Sequence, residues 1–191
     1  MANPDIRSNE IILKPGLFLD RDGVLNVDIP YLFKPEEFQW MPGAIETVRI
    51  ANTRGWYVFV VTNQSGVARG KYGIREVEAL HAFMQHELKA QGAHIDDFRY
   101  CPYLKEGVVP EYAMDSNWRK PAPGMILDIF EKWPVDRTQS LMIGDRDNDV
   151  HAARNAGIKG LLFTGGRLDE FVAPYLFAVN DLGAGYLPDQ G

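Results

Sequence analysis

The strongest constraint on this chain is a set of short runs that are apolar throughout, each leading straight into a polar turn. Leu17-Phe18-Leu19, Tyr57-Val58-Phe59-Val60-Val61, Leu141-Met142-Ile143 and Gly160-Leu161-Leu162-Phe163 leave no polar face for water. Strands of that kind must be covered on both sides, as in parallel sheets flanked by helices. Phe98-Arg99-Tyr100-Cys101 is a weaker fifth strand. Between the runs lie segments of helical spacing: 43–52 with Ile45 and Val48 inward, 74–90 with Val77, Leu80, Met84 and Leu88, then 124–132 and 147–156. Strand and helix in alternation predict an α/β fold with a doubly wound parallel sheet. The 191 residues suit a single domain over 1–191, with its core at about 14–181 and loosely held ends.

In an open parallel sheet, ligands sit at the carboxyl ends of the strands where the strand order reverses. Here the first strand runs into Asp20-Arg21-Asp22-Gly23, the second into Thr62-Asn63-Gln64-Ser65-Gly66, and the fourth into Gly144-Asp145-Arg146-Asp147-Asn148-Asp149. Arg119-Lys120-Pro121 stands just before the helix that begins near Gly124. All four segments are therefore expected at one edge of the sheet.

Asp20 and Asp22 are two residues apart, so on an extended backbone their side chains point the same way. Carboxylates that close repel unless a cation neutralises them, and Asp145 offers a third hard oxygen ligand. Such a donor set, with room for water and phosphate, suits Mg²⁺. A carboxylate beside a metal can attack phosphorus, while a second carboxylate serves as general acid and base. Thr62, the Asn63 backbone N–H and Lys120 supply the donors and the positive charge that a transferring phosphoryl group needs. Asp149, one helical turn beyond Asp145, is placed to hold a metal-bound water or to orient Lys120.

Each piece has a plainer reading alone. An Asp-x-Asp pair or an Asp-rich run is usually a helix cap or solvated turn, and a lone lysine is usually solvated. What is specific is their joint occurrence, in one order, at strand ends. Other signals carry less. Gly66-Val67-Ala68-Arg69-Gly70-Lys71 has one residue too few for a nucleotide phosphate loop, and Tyr72 stands where Ser or Thr should follow. His81 and His86 are five apart and so do not share a helical face.

The segments Asp20-Arg-Asp-Gly-Val-Leu25, Val61-Thr-Asn-Gln-Ser-Gly66, Arg119-Lys-Pro121 and Gly144-Asp145 followed by Asp149 resemble, in order, the four motifs of the haloacid dehalogenase-like phosphatases. Thr62-Asn-Gln-Ser-Gly-Val-Ala-Arg-Gly-Lys71 and Arg119-Lys-Pro-Ala-Pro-Gly-Met125 are similar to the group within that superfamily that acts on heptose bisphosphates and on histidinol phosphate. The likeness covers about residues 16–165. It implies a Rossmann-like fold without a separate cap domain, Asp20 as nucleophile and Asp22 as general acid and base. It implies Asp20, the Asp22 carbonyl and Asp145 as Mg²⁺ ligands, Thr62, Asn63 and Lys120 as phosphate binders, and Arg119 at the distal end of the substrate. The substrate it implies is a small phosphorylated metabolite, foremost the 7-phosphate of heptose 1,7-bisphosphate, with histidinol phosphate as the alternative.

Two departures stand out. Members of the group commonly carry a zinc loop with a Cys-x-His pair and a Cys-x-Cys pair before Arg-Lys-Pro, whereas here the positions are Cys101-Pro102-Tyr103 and Ser116-Asn117-Trp118. One ligand of four does not hold zinc, so no zinc is expected and Tyr103, Tyr112 and Trp118 should pack the loop instead. Arg146 stands where the heptose enzymes favour lysine and the histidinol-phosphate enzymes arginine.

With little room for a cap, the site should be open, and loops 27–40 and 101–118 should choose the substrate. Arg69, Lys71, Lys105 and Arg119 are the candidate anion contacts there. The formal charge of −6 excludes broad electrostatic capture of nucleic acid or anionic membrane, so neither is an expected partner. The sole cysteine, the absence of a spanning apolar stretch and an N-terminus without a secretory core predict a cytoplasmic protein, expected to be a monomer. A different class, a receiver-like module storing phosphate on Asp20 as a signal, is disfavoured by Asp22, whose acid/base chemistry shortens the life of an acyl phosphate.

Overall fold

A computed structural model describes residues 12–178 of the chain, so the expectation of loosely held ends falls outside the described residues. Five strands form one parallel sheet: β1 (Lys14–Leu19), β2 (Tyr57–Asn63), β3 (Asp97–Cys101), β4 (Val135–Gly144) and β5 (Lys159–Leu162). Their order is β3-β2-β1-β4-β5. The chain winds outward from β1 through β2 to β3, then crosses back to β4 on the other side of β1. The order therefore reverses at the β1–β4 pair, and their carboxyl ends flank the crevice.

The apolar runs of β1, β2 and β4 are explained by the two layers of helix, whereas β5, at the sheet edge, departs from the expected double cover and leaves Leu162 exposed. Leu17, Leu19, Val58, Val60 and Ile143 face one side, against α1 (Ala44–Thr53), α2 (Ile74–Ala90) and α5 (Leu168–Ala178). Phe18, Phe59, Val61 and Met142 face the other, against α3 (Gly124–Lys132) and α4 (Asp147–Asn155). Successive strand residues point to opposite faces, so a strand covered twice can hold nothing polar until it ends. The expected inward residues of α2, Val77, Leu80, Met84 and Leu88, are all buried.

Two elements escape the sequence reading. α5 contains Pro174 and is apolar on most sides, so no 3.6-residue stripe marks it. β4 starts six residues before its apolar run, because Asp136, Arg137, Thr138 and Gln139 lie at its exposed beginning. There the ladder with β1 is interrupted: Pro15 pairs with Asp136 but Leu17 with Leu141. Buried Ser140 fills the gap, accepting from Gly16 N at 2.8 Å and donating to the Asp136 carbonyl at 2.6 Å.

The connections that could hold a cap, residues 20–43 and 102–123, contain among the described residues no helix beyond a 3-10 turn at Pro35–Glu37. The strand ends therefore open on a cleft of about 370 Å³ bounded by loops. No helix among the described residues is long and apolar enough to cross a membrane.

Ser140→Ala should strand the Gly16 N–H in the sheet. An unsatisfied buried donor costs about 1–3 kcal/mol, so urea unfolding should show a loss in that range without a change in the fold.

Candidate active site

β1 delivers Asp20 to the crevice, its backbone N–H donating to the Ile143 carbonyl at 2.9 Å and so continuing the β1–β4 ladder. The chain then turns tightly, with Gly23 N bonded to the Asn26 carbonyl at 2.8 Å. Gly23 has φ +82°, and a Cβ there would collide with the Asp145 carboxylate. A glycine is thus required twice over, for the backbone angle and for the approach of Asp145.

Lys120 binds these parts together. Only 3% exposed, its Nζ lies 2.9 Å from Asp20 Oδ1 and 2.6 Å from Asp149 Oδ1, and donates to the Val61 carbonyl at 2.8 Å. Its backbone is clamped by the side chain of Asn63, whose Oδ1 accepts from Lys120 N at 3.0 Å and whose Nδ2 donates to Lys120 O at 3.1 Å. The sequence offered Asn63 only as a backbone donor; its amide turns out to tie the end of β2 to the Arg119-Lys120 segment. Asp149 uses its second oxygen, Oδ2, to accept from Arg146 N at 3.1 Å and so cap α4. The plain reading of the Asp-rich run as a helix cap and the functional reading of Asp149 therefore both apply to one carboxylate.

Charge is crowded here. Burial raises the Asp20 carboxyl, Lys120 lowers it, and Asp149 and Asp22 raise it again, leaving it at about 7. Burial also pushes Asp145 above the usual carboxylate range, with Arg146 opposing and Asp149 adding to the rise. Burial alone would lower Lys120, but Asp20 and Asp149 outweigh it and hold the ammonium charged.

Oxygens of Asp20, Asp145 and Asp149 lie within 4.8 Å of one another. Asp149 is already engaged by Lys120 and the α4 cap, whereas the buried Oδ1 of Asp145 has no hydrogen-bond partner among the described residues. Both contacts of Asp20, from Lys120 and from Arg21 N at 2.7 Å, fall on Oδ1. An orphaned carboxylate oxygen beside a carboxyl held near neutrality is what a hard divalent cation would satisfy.

Asp22 is held by three side chains: Arg21, whose Nη2 lies 3.1 Å from each carboxylate oxygen, Asn26 at 3.0 Å and Gln64 at 3.0 Å. The sequence gave no reason to single out Arg21, which is fully buried although it lies between two acids, or Gln64. The expected residues Asp20, Asp22, Thr62, Asn63, Arg119, Lys120, Arg146 and Asp149 all line the cleft, and Asp145, outside its lining, stands against Gly23 with an oxygen within 4.8 Å of those of Asp20 and Asp149. Arg146 reaches across its mouth to Asp28 at 2.8 Å. Arg69 and Lys71 are exposed and lie outside the cleft wall, Lys71 sitting over the ring of Tyr31, which is part of it. Lys105 is exposed and paired with Asp115 at 3.0 Å.

The loop after β3 is fixed without a Cys/His ligand set. Val108 N and Val109 N donate to the Ala68 carbonyl at 2.8 and 3.0 Å, Leu104 N to the Tyr112 carbonyl at 3.1 Å, and Tyr103 packs on Tyr112 with ring centroids 6.0 Å apart. Arg119 is aimed from the same loop, its Nη1 donating to the Tyr103 carbonyl at 3.3 Å.

Carboxylates, a buried lysine and a hydroxyl meet at the switch point of a parallel sheet, the arrangement of a phosphoryl-transfer site. A family model for HAD-hydrolase-like proteins matches residues 117–175. The chain is 50% identical over 163 residues to a D-glycero-beta-D-manno-heptose-1,7-bisphosphate 7-phosphatase of Rhodopseudomonas palustris, covering 85% of this chain and 91% of the relative. It is 38% identical over 141 residues to a D-glycero-alpha-D-manno-heptose-1,7-bisphosphate 7-phosphatase of Photorhabdus laumondii, covering 74% and 77%. A crystal structure of D,D-heptose 1,7-bisphosphate phosphatase from B. bronchiseptica, complexed with magnesium and phosphate, superposes with a TM-score of 0.72 at 30% identity, over 92% of this chain and 89% of that one. The chain belongs to the haloacid dehalogenase-like hydrolase family and is one of its phosphatases.

Lys120→Met removes the ammonium that faces Asp20 and Asp149. Without divalent cations, the variant should lose about 3–5 kcal/mol of stability near pH 8. The deficit should shrink near pH 5.5: Lys120 is what lowers the Asp20 carboxyl to about 7, so without it the carboxyl takes up its proton in the folded state already above pH 7, and one of the two unpaired charges disappears as pH falls from 8. Urea unfolding at the two pH values measures the difference.

Proposed function

We propose that this phosphatase removes the 7-phosphate of D-glycero-D-manno-heptose 1,7-bisphosphate, in a Mg²⁺-dependent reaction through an aspartyl phosphate on Asp20. The observation that carries the reading is the pairing of a buried carboxylate, Asp20, with Lys120 on one side and the unpartnered Asp145 Oδ1 on the other. Asp20, Asp145 and the Asp22 carbonyl would hold the cation, which when bound supplies positive charge to the phosphoryl oxygens and keeps Asp20 ionised.

The remaining chemistry belongs to the chain. A carboxylate oxygen of Asp20 attacks phosphorus, the bond from phosphorus to the sugar oxygen breaks, and Asp22 gives its proton to that oxygen. Water then attacks the phosphorus of the acyl phosphate. Asp22 takes the proton from the water, the bond to Asp20 breaks, and inorganic phosphate leaves. Throughout, Lys120, Thr62 and the Asn63 N–H are placed to stabilise the equatorial oxygens.

Specificity follows from the walls. Arg119 lies between the cleft and a second hollow of about 440 Å³ that includes Ser116, Asn117 and Asn148. A guanidinium at that border suits a second phosphate on the unreacting end of the sugar. The 50% identical relative, named for the β-anomer, favours that anomer. Histidinol phosphate, which carries an amine and no second phosphate, has no use for Arg119.

Comparing kcat/KM on the α- and β-heptose 1,7-bisphosphates, fructose 1,6-bisphosphate and histidinol phosphate tests the substrate, with the β-heptose expected to lead. A lead for histidinol phosphate would overturn the assignment. Asp20→Asn should lower phosphate release by at least about 10³-fold while leaving the circular dichroism spectrum unchanged. Asp145→Asn should abolish the rise in melting temperature that Mg²⁺ gives the unmodified protein.

A further inference from the structure

Gln64 is 2% exposed, yet every hydrogen-bonding site of its amide is used. Nε2 donates to Asp22 Oδ2 at 3.0 Å and to Thr62 Oγ1 at 2.9 Å. Oε1 accepts from Arg21 Nη2 at 3.1 Å and from the Tyr72 hydroxyl at 2.6 Å. A primary amide has two donors and two acceptor lone pairs, so the set is complete.

The orientation of that amide is forced. Arg21 is a donor in all circumstances. Burial pushes the Tyr72 phenol up to about 12, so it also keeps its proton to donate. Two donors facing one end of the amide fix that end as oxygen, and the NH₂ must then face Asp22 and Thr62. Tyr72 is itself seated firmly: its ring stacks on Phe33 with centroids 5.4 Å apart, and a Cβ on Gly66 would collide with it.

We infer that Gln64, oriented by Tyr72, is a positioning residue that aims both the Asp22 carboxyl and the Thr62 hydroxyl at the phosphoryl group. The consequence for Thr62 is directional. Because its oxygen accepts from Gln64, its own proton is free to be given to a phosphate oxygen. The consequence for Asp22 is that its Oδ2 is pinned by a residue that follows β2 and not only by neighbours on its own turn. Tyr72, the residue that rules out a nucleotide loop in this segment, thus acquires a role through Gln64.

The inference rests on the proposed roles of Asp22 and Thr62, and the leaving group separates it from them. Protonation by Asp22 matters for a sugar alkoxide and hardly at all for p-nitrophenolate, which departs unaided. kcat/KM reports the steps up to departure of the leaving group. For Gln64→Met, kcat/KM should fall on both the heptose bisphosphate and p-nitrophenyl phosphate, because Thr62 loses its aim, and about tenfold further on the sugar, because Asp22 does too. Tyr72→Phe, which keeps the ring but leaves Arg21 alone to hold the amide oxygen, loosens Gln64 without turning it over and should show the same excess on the sugar in milder form. Equal losses on the two substrates in both variants would mean that Gln64 merely supports the fold, and no loss would mean that it positions nothing; either result overturns the inference. Asp22→Asn in the same assays should show the excess most strongly. If it does and the Gln64 and Tyr72 variants do not, Gln64 alone is misassigned; if Asp22→Asn shows none, the role of Asp22 and this inference fall together.

Discussion

One ammonium group organises the site. Lys120 Nζ touches a carboxylate at the end of β1, a carbonyl near the end of β2 and a carboxylate in the first turn of α4, while its own backbone is clamped by Asn63. Four segments spread over about 130 residues of sequence therefore meet at a single charge. A buried ion pair is a poor device for stability, since desolvation consumes most of the attraction. Its use here is geometric: it holds Asp20, Asp149 and the strand end carrying Thr62 in one arrangement and keeps a positive charge beside Asp20.

Lys120 does not balance the charge it meets. Asp20 and Asp149 share one lysine with Asp145 close by, and the surplus shows in Asp20, held at about 7, and in Asp145, raised despite Arg146. Such a cluster must take up protons or a cation. Protonation would silence a carboxylate nucleophile, so electrostatics favours the cation at neutral pH. Asp145 has the free oxygen to receive it.

How much of this was legible from the sequence depends on the range of the interactions. The apolar runs gave the strands because burial on both faces forbids polar residues, and the 3.6-residue stripe of α2 gave its bounds. α5 was hidden because it is apolar on most sides and contains Pro174, and the start of β4 because an exposed strand end can be polar. Among site residues, the acids, Thr62 and Lys120 could be read because their chemistry is specific in combination. Arg21 and Gln64 could not. An arginine between two aspartates looks solvated, and a glutamine after a strand looks like loop; only the fold shows that each is buried against groups far away in the chain. Arg69 and Lys71, singled out by their nearness to the second motif in sequence, are exposed and lie outside the cleft wall.

The loop after β3 is held by backbone and aromatic contacts. With only Cys101 in place of four ligands, the segment takes its hold from the segment after Thr62: the Ala68 carbonyl accepts two backbone N–H groups, and the tyrosine pair covers the turn. Zinc would tie the loop to itself; these contacts tie it to the residues that follow the second motif. Arg119 depends on that anchorage, because its guanidinium is directed by the Tyr103 carbonyl. In the proposed reaction the reacting phosphate would be met by side chains fixed on strand ends, and the far end of the substrate by an arginine fixed on a loop. Variation in the loop can therefore change which molecule is accepted while leaving Asp20, Lys120 and Asp145 undisturbed.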